Sequence, residues 1–248
     1  MRFAALARIA LLRQLRDPAS LLLSVTTAPL FALLYAFVSE DSVAFAAYRP
    51  SLLVFSSIMA LFGAAMALSR ERSEGSMLLL RMAGADGLSL VAGFGLPQVI
   101  INLISLLLTL GAAHLAGFRT EASLLPVATA CAFAAIASIG LGLVVAALAP
   151  TVARAFLLAS IVMFLQLLFS GLLFPRPETL AFSVGSLQVS VWDLLPTTHL
   201  HLLLSSLLQR GDAALAAGRL AALALLALAA LAIGALLFQR ALRRGASR

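Results

Sequence analysis

Long apolar runs, separated by short charged or Pro/Gly-containing breaks, repeat along the whole chain. The hydrocarbon core of a bilayer is about 30 Å thick and takes roughly 20 apolar residues in an α-helix. Six runs come close to this length, so the pattern predicts an all-α polytopic membrane protein in which residues 1–248 form a single transmembrane domain. The six predicted spans are 19–38, 51–68, 88–110, 124–148, 155–173 and 220–238.

Residues 1–17 precede the first predicted span and have the pattern of a helix that lies on the membrane surface. Four arginines fall within about 140° of arc when the residues are placed on a helical wheel, and apolar residues lie opposite them. Ile9 and Leu12 interrupt the basic face, so the amphipathicity is moderate. We predict an N-terminal amphipathic interface helix; an ordinary positively charged flank to the first span is the alternative. The four arginines are Arg2, Arg8, Arg13 and Arg16.

The connection between the second and third predicted spans, residues 69–87, is longer than a simple turn requires. It begins with alternating basic and acidic residues and continues as an apolar stretch of helical character through Met82. This arrangement predicts a connection that contains a short helix, with a solvated charged loop as the alternative to a specific role for the charged residues. The charged and flanking residues of the stretch are Arg70, Glu71, Arg72, Ser73, Glu74, Gly75 and Ser76.

The segment before the last predicted span, residues 174–218, is too apolar for a solvated loop. Because backbone at membrane depth must be satisfied internally or buried in protein, we expect short half-inserted helices broken at Pro175, Pro177 and Pro196. The sequence therefore predicts a re-entrant segment on the outer face. An interfacial segment with Trp192 at the membrane surface is an equal alternative.

The arginines also predict the orientation of the chain. With the N-terminus inside, twelve of the 17 arginines fall on the interior side. This is the positive-inside pattern, and for an even number of spans it places both termini in the cytoplasm. The five exterior arginines are Arg49, Arg119, Arg176, Arg210 and Arg219.

Composition agrees with a membrane location: 62% of the residues are hydrophobic, 11% are charged, and the mean hydropathy is +1.09. The formal charge of +7 could suggest a nucleic-acid partner, but the basic residues lie scattered at the ends of apolar runs. We therefore expect the lipid bilayer, and no nucleic acid, as the partner of this charge. The single Cys131 excludes an intrachain disulfide and makes a thiolate metal cluster implausible.

The absence of one residue type bears on the energy source. All 17 basic residues are arginine, and a chain without lysine cannot supply the lysine of a Walker A motif. All ten acidic residues lie outside the predicted spans, which weakens the case for an ion-coupled transporter with an ionisable group in the membrane. We therefore expect energy to come from a second polypeptide.

Polar residues occur inside two of the predicted spans. Gln98, Asn102, Ser105 and Thr109 follow one another at spacings of four, three and four, which places them on one helical face. Gln166 and Ser170 are likewise four apart in the fifth span. These residues could line a translocation path for an amphiphile, or they could form interhelical hydrogen bonds. His114 stands alone and His199 and His201 are two apart, so we expect neither a metal site nor a catalytic site.

Three stretches resemble the permeases of ABC type-2 exporters. Glu71-Arg-Ser-Glu-Gly-Ser76 is similar to the family's ERExGT loop, with Ser76 in place of Thr. Ser170-Gly-Leu-Leu-Phe-Pro175 is similar to its SGxxFP segment, and Leu195-Pro-Thr-Thr-His199 resembles the Pro-Leu-Thr-His stretch before the last span. The six-span layout and the basic N-terminal helix fit as well, so the resemblance covers essentially the whole chain.

This resemblance implies a membrane subunit that forms a homo- or heterodimer with a second permease and pairs with two copies of a separate ATP-binding subunit. ATP and Mg would be bound by that subunit, with no cofactor in this chain. Arg70, Glu71, Arg72, Glu74 and Gly75 would couple to the ATPase. The external gate would include Gly171, Phe174, Pro175 and Pro196. We expect location in the bacterial inner (plasma) membrane.

Three readings of the function stay open at this stage. Export of a hydrophobic or amphiphilic molecule, such as a drug, an antibiotic or a lipid-like compound, fits the apolar spans best. A polysaccharide or peptide exporter ranks lower, because one Trp and two Tyr offer few rings for stacking on sugars. A non-transporting membrane scaffold or an intramembrane enzyme is the third reading.

Overall fold

A computed structural model of the protein describes residues 2–38, 42–82, 84–85, 87–115, 124–170, 181–184, 187–210 and 213–245. Over these ranges helices dominate, as the apolar runs predict. The first five helices are α1 (Arg2–Leu15), α2 (Pro18–Val38), α3 (Ser42–Ser73), α4 (Ser76–Met82) and α5 (Gly87–Leu115). The later ones are α6 (Leu124–Leu148), α7 (Val152–Phe169), α8 (Pro196–Ser205) and α9 (Ala213–Gly245).

Five helical segments among the described residues are long and apolar enough to cross a membrane. They correspond to the second through the sixth predicted spans. The first predicted span does form helix α2, but its described apolar stretch, Val25–Leu34, is shorter than the other five. The five segments are Pro50–Ser73, Ser89–Leu115, Leu124–Leu148, Val152–Phe169 and Ala217–Arg243.

Helix α6 lies at the centre of the packing, against α3 on one side and α9 on the other. Glycines allow this close approach. A Cβ added at Gly140 would lie 2.5 Å from the backbone of Ala230 and Leu231, and one added at Gly142 would lie 2.8 Å from the carbonyl oxygen of Leu61. The α6 backbone therefore contacts both neighbouring helices directly. Inside a bilayer the hydrophobic effect does not drive helices together, so such close van der Waals packing is a main source of their association.

Burial separates the membrane helices into an inner and an outer set. In the spanning segments of α3, α5 and α6, 61% of the most apolar window is buried, against 17% in α7 and 22% in α9. The outer helices present rows of large apolar side chains, such as Leu157 and Phe164 on α7. In this single chain they are the helices left to face lipid or another subunit.

The segment before the last helix differs from its prediction. Strands β1 (Ala181–Val184) and β2 (Leu187–Ser190) form an antiparallel hairpin in which Ala181 pairs with Ser190 and Val184 with Leu187. The expected short helices are therefore wrong at these residues. The physical reason is the strict alternation of Phe182, Val184, Leu187 and Val189 with polar residues, which has the period of a strand.

Two of the three predicted proline breaks, Pro175 and Pro177, lie outside the described residues. The third is confirmed, because α8 begins at Pro196, a position where the missing N–H of proline costs no helical hydrogen bond. A 3₁₀ turn, Val191–Leu194, joins the hairpin to α8, and a π-helical turn, Ser206–Arg210, follows it.

Candidate functional site at the junction of α1, α3 and α4

Glu71 joins three helices at the charged end of α3. Its side chain is buried, with 5% of the residue exposed, and the guanidinium of Arg13 on α1 donates a hydrogen bond to Oε1. The hydroxyl of Ser76, the first residue of α4, contacts Oε2 and also lies 2.9 Å from the backbone carbonyl oxygen of Glu71. Because a buried carboxylate is costly unless it is paired, these contacts hold α1, α3 and α4 together.

The turn between α3 and α4 is short and exposed. Glu74 N–H donates to the carbonyl of Arg70 at 2.9 Å, and Gly75 N–H donates to that of Arg72 at 3.3 Å. Gly75 has φ of 75°, the left-handed conformation that ends helices and favours glycine. Ser73, Glu74 and Gly75 are all exposed. Among the five predicted coupling residues, Glu74 and Gly75 are thus on the surface of the turn.

The two arginines of this stretch have different partners. Arg72 donates from one nitrogen to the carbonyl oxygens of Ala146 and Ala147, at 3.1 and 3.2 Å, at the C-terminal end of α6. A cation at that position complements the helix dipole and satisfies carbonyls that have no partner within the helix. Arg70 pairs with Asp17 at 3.2 Å in a half-exposed ion pair. The charged end of α3 is therefore bonded to the central helix as well as to α1.

Helix α1 packs its apolar side on α5. Leu6 and Ala10 are buried, and a Cβ added at Gly93 of α5 would lie 2.8 Å from Cβ of Leu6. The basic residue Arg8 faces outward and is exposed. Glycine at position 93 thus brings α1 close enough for Arg13 to reach Glu71.

The predicted polar face of α5 lies against α3 and α1. Asn102 Nδ2 donates to the carbonyl of Ser56 at 2.6 Å, and the hydroxyls of Ser56 and Ser105 are 3.2 Å apart. Thr109 donates to the Ser105 carbonyl of its own helix at 2.7 Å, and Gln98 Nε2 donates to Gln14 Oε1 of α1 at 3.2 Å. All four predicted residues of this face are buried.

The two predicted polar residues of α7 are buried as well. Ser170 donates to the Leu167 carbonyl at 3.5 Å, and the Gln166 amide has no hydrogen-bond partner among the described residues. In the described part of the chain, no hydrogen bond joins either residue to the polar face of α5.

On the opposite side of the molecule, Asp193 organises the approach to α8. Its Oδ2 accepts the Ser190 N–H at 3.0 Å, and Oδ1 lies 3.7 Å from Arg219 of α9. His199 Nε2 lies 2.8 Å from the carbonyl oxygen of Asp193, and Trp192 stacks on Phe169 with ring centroids 4.5 Å apart. The gate candidate Pro196 is buried beside them, whereas Gly171, Phe174 and Pro175 lie outside the described residues.

A cavity of about 830 Å³ opens beside the junction. Its walls come from α1, α2, α3, α5 and α7, and they are charged near Glu71 and rich in Phe and Met elsewhere. Gln98 is the member of the predicted translocation set that lines it. Over the described ranges no cluster of three or more His, Cys, Asp or Glu side chains is suited to a metal ion.

Sequence reasoning missed three participants: Arg13, Asp17 and Ser76. Arg13 and Asp17 were assigned to a helix on the membrane surface, and their long-range partners could not be read from local spacing. Ser76 lies in the stretch similar to the ERExGT loop but was not predicted to be a coupling residue. The sequence did contain a signal for its position: Ser76 follows Gly75, and glycine commonly ends a helix while serine commonly begins one.

The described residues form a helical bundle with a short helix and an exposed turn, both at the charged end of α3. The chain belongs to the ABC-2 type transporter family, whose sequence profile matches residues 1–200. It is accordingly the permease component of an ABC transporter. A comparison with curated proteins found no match.

Proposed function

We propose that the chain is the membrane subunit of an ATP-driven exporter that moves a hydrophobic or amphiphilic molecule. Two copies of a separate ATP-binding subunit supply the energy, and a second permease subunit completes the complex. Six spans, with α2 as the first, place both termini in the cytoplasm of a bacterial inner membrane. The absence of lysine supports the assignment of ATP and Mg to the partner, because no Walker A lysine is possible here.

The observation that carries this proposal is the paired, buried Glu71. It fixes the exposed Glu74–Gly75 turn to α1 and α4, and Arg72 fixes the same end of α3 to α6. A partner that pushes on the turn therefore moves several spanning helices as one rigid body, which is the kind of bistable packed element that converts a local event into a large change. Arg70, Glu71, Arg72, Glu74 and Gly75 form this coupling segment.

Helix α1 acts as a supporting interface helix in this mechanism. Its buried Leu6 and Ala10 hold it on α5, while Arg8 and Leu12 are exposed. Such a helix is suited to the boundary between the membrane and the cytoplasm. The segment of the hairpin and α8 forms the outer cap, with Gly171, Phe174, Pro175 and Pro196 as its gate.

The translocation path runs along the cavity wall, with Gln98 at its edge and Asn102, Ser105 and Thr109 behind it. The last three have hydrogen bonds within the chain in this conformation. They become part of the path only when α3 and α5 separate. Gln166, whose amide is unpaired among the described residues, and Ser170 serve the same path on α7.

Co-expression with ATP-binding subunits from the same genome tests the proposal. The purified chain alone should hydrolyse no ATP, and the complex should hydrolyse ATP and accumulate an amphiphilic probe in inverted vesicles. ATP hydrolysis by the permease alone, or failure of any ATP-binding subunit to co-purify, would contradict the assignment. A catalytically inactive ATPase variant is the control for probe leakage.

A further inference from the structure

The cavity beside the coupling segment has a charged end and an apolar end far apart. Phe55 and Glu71 both line it and lie on the same helix, α3, sixteen residues from each other. At about 1.5 Å per residue the two positions are roughly 24 Å apart along the helix axis. The cavity is therefore elongated and follows α3, a shape suited to a molecule with a polar head and a long apolar body.

The charged end carries an excess of carboxylates. Its lining includes two guanidiniums, of Arg13 and Arg70, and three carboxylates, of Asp17, Glu71 and Glu74. Arg13 pairs with Glu71 and Arg70 pairs with Asp17, so both cations are already matched. Glu74 is the carboxylate in surplus, and it is exposed at the mouth of the cavity.

Three nearby arginines are not part of this lining. Arg72 has its guanidinium on the carbonyls of Ala146 and Ala147 at the end of α6. Arg8 and Arg16 are exposed on α1 and do not line the cavity. Among the groups that line the cavity, carboxylates therefore outnumber guanidiniums by one.

Away from the mouth the cavity wall is mostly apolar. Phe55 and Phe62 on α3, Phe94 on α5 and Phe156 on α7 line the cavity, and Phe62 and Phe156 meet with ring centroids 5.8 Å apart. Aromatic rings pack on apolar bodies. Met59, Met66 and Met163 complete the wall, and methionine adapts its shape to different ligands.

We propose that this cavity binds cationic amphiphiles, with the positive head at Glu74 and the apolar body along Phe62 towards Phe55. The inference rests on the proposed export function and adds the sign of the charge on the substrate. An anionic lipid or an acidic glycan would place its charge against the surplus carboxylate, which disfavours both.

Two fluorescent probes with one apolar body and opposite heads test the inference. Diphenylhexatriene bearing a trimethylammonium group and diphenylhexatriene bearing a propionate group are titrated onto the nucleotide-free complex in lipid nanodiscs of neutral lipid. Empty nanodiscs correct for partition into lipid. We expect the cationic probe to bind roughly tenfold more tightly than the anionic one, because one unpaired charge at a protein surface supplies an effect of that size.

Variants separate the charge from the shape of the site. Glu74→Gln should weaken the cationic probe about threefold to tenfold and leave the anionic probe unchanged or slightly tighter. Phe62→Ala should weaken both probes by a similar factor, and Arg8→Gln, an exposed charge outside the cavity, should change neither. Size-exclusion profiles check that each variant is folded.

Equal binding of both probes, or tighter binding of the anionic probe, would overturn the inference. A Glu74→Gln complex with unchanged selectivity would overturn it too. ATP hydrolysis measured on the same samples reports on the proposed function separately: active complexes without charge selectivity leave the exporter assignment intact, whereas absence of a complex with any ATPase refutes that assignment whatever the probes show.

Discussion

At the scale of single residues, the acidic members of the two ion pairs in the coupling segment differ in burial. Glu71 has 7% of its side chain exposed and Asp17 has 36%, while their partners Arg13 and Arg70 are 50% and 54% exposed. Solvent reaches both guanidiniums, but the buried Glu71 carboxylate depends on the bonds from Arg13 and Ser76. Glu71 is therefore the residue on which the junction depends.

Glu71→Ala should destabilise the protein and uncouple ATP hydrolysis from export. We expect a loss of about 1–2 kcal/mol, because the Ser76 hydroxyl loses a partner in a buried site, whereas the half-exposed Arg13 can be solvated by water. Thermal unfolding in detergent and probe export by the complex measure the two effects. Arg70→Gln is the matched control and should cost at most about 1 kcal/mol. If both variants had the same unfolding temperature, the burial argument would fail.

At the scale of elements, the contact between α6 and α9 depends on the absence of a side chain. Gly234 of α9 faces Gly140 of α6 so closely that a Cβ at position 234 would overlap the Gly140 carbonyl oxygen. Gly111, in α5, has open space around it. Glycine is therefore required for close packing at position 234, whereas at position 111 a larger side chain would meet no neighbour.

Gly234→Ala should separate α6 from α9 and lower stability by about 1–3 kcal/mol, as overpacking in a close interface does. Gly111→Ala should be neutral or stabilise by up to about 1 kcal/mol, because alanine favours the helix and meets no neighbour. Thermal denaturation followed by size-exclusion chromatography compares the two variants. Equal stability of both would show that α6 and α9 do not touch at this point.

At the scale of the whole molecule, the charged turn and the outer cap lie at opposite ends of the spanning helices. The Glu74–Gly75 turn follows α3, and His114, exposed, lies at the far end of α5. The orientation inferred from the arginines places the first inside and the second outside. Cys131, the single cysteine of the sequence, is fully buried in α6, so added thiols can be read without background.

Cysteine labelling tests this orientation. A membrane-impermeant maleimide added to intact cells should label His114→Cys and leave Ser73→Cys unlabelled, and inverted vesicles should give the reverse. The unmodified chain, with Cys131 alone, should remain unlabelled in both preparations, because that thiol is out of reach of an aqueous reagent. Labelling of Ser73→Cys in intact cells would place the coupling segment outside the cytoplasm and would refute the predicted orientation.

Local sequence was enough to predict the helices, because their apolar runs match the membrane thickness and their ends carry charges, prolines or glycines. It also predicted the helical stretch that ends at Met82 and a helix break at Pro196. The hairpin was missed even though its alternation was present, since the apolar character of the segment was given more weight than its period of two.

The sequence by itself determined an apolar helical membrane protein without lysine and with an asymmetric distribution of arginines. Only the tertiary structure decided that Glu71 is buried against Arg13, that Arg72 bonds to the end of α6, and that the α5 polar face meets α3. These partners lie 58, 74 and 46 residues apart in the chain. Helical periodicity reports which residues share a face, but helix packing in three dimensions decides what that face meets.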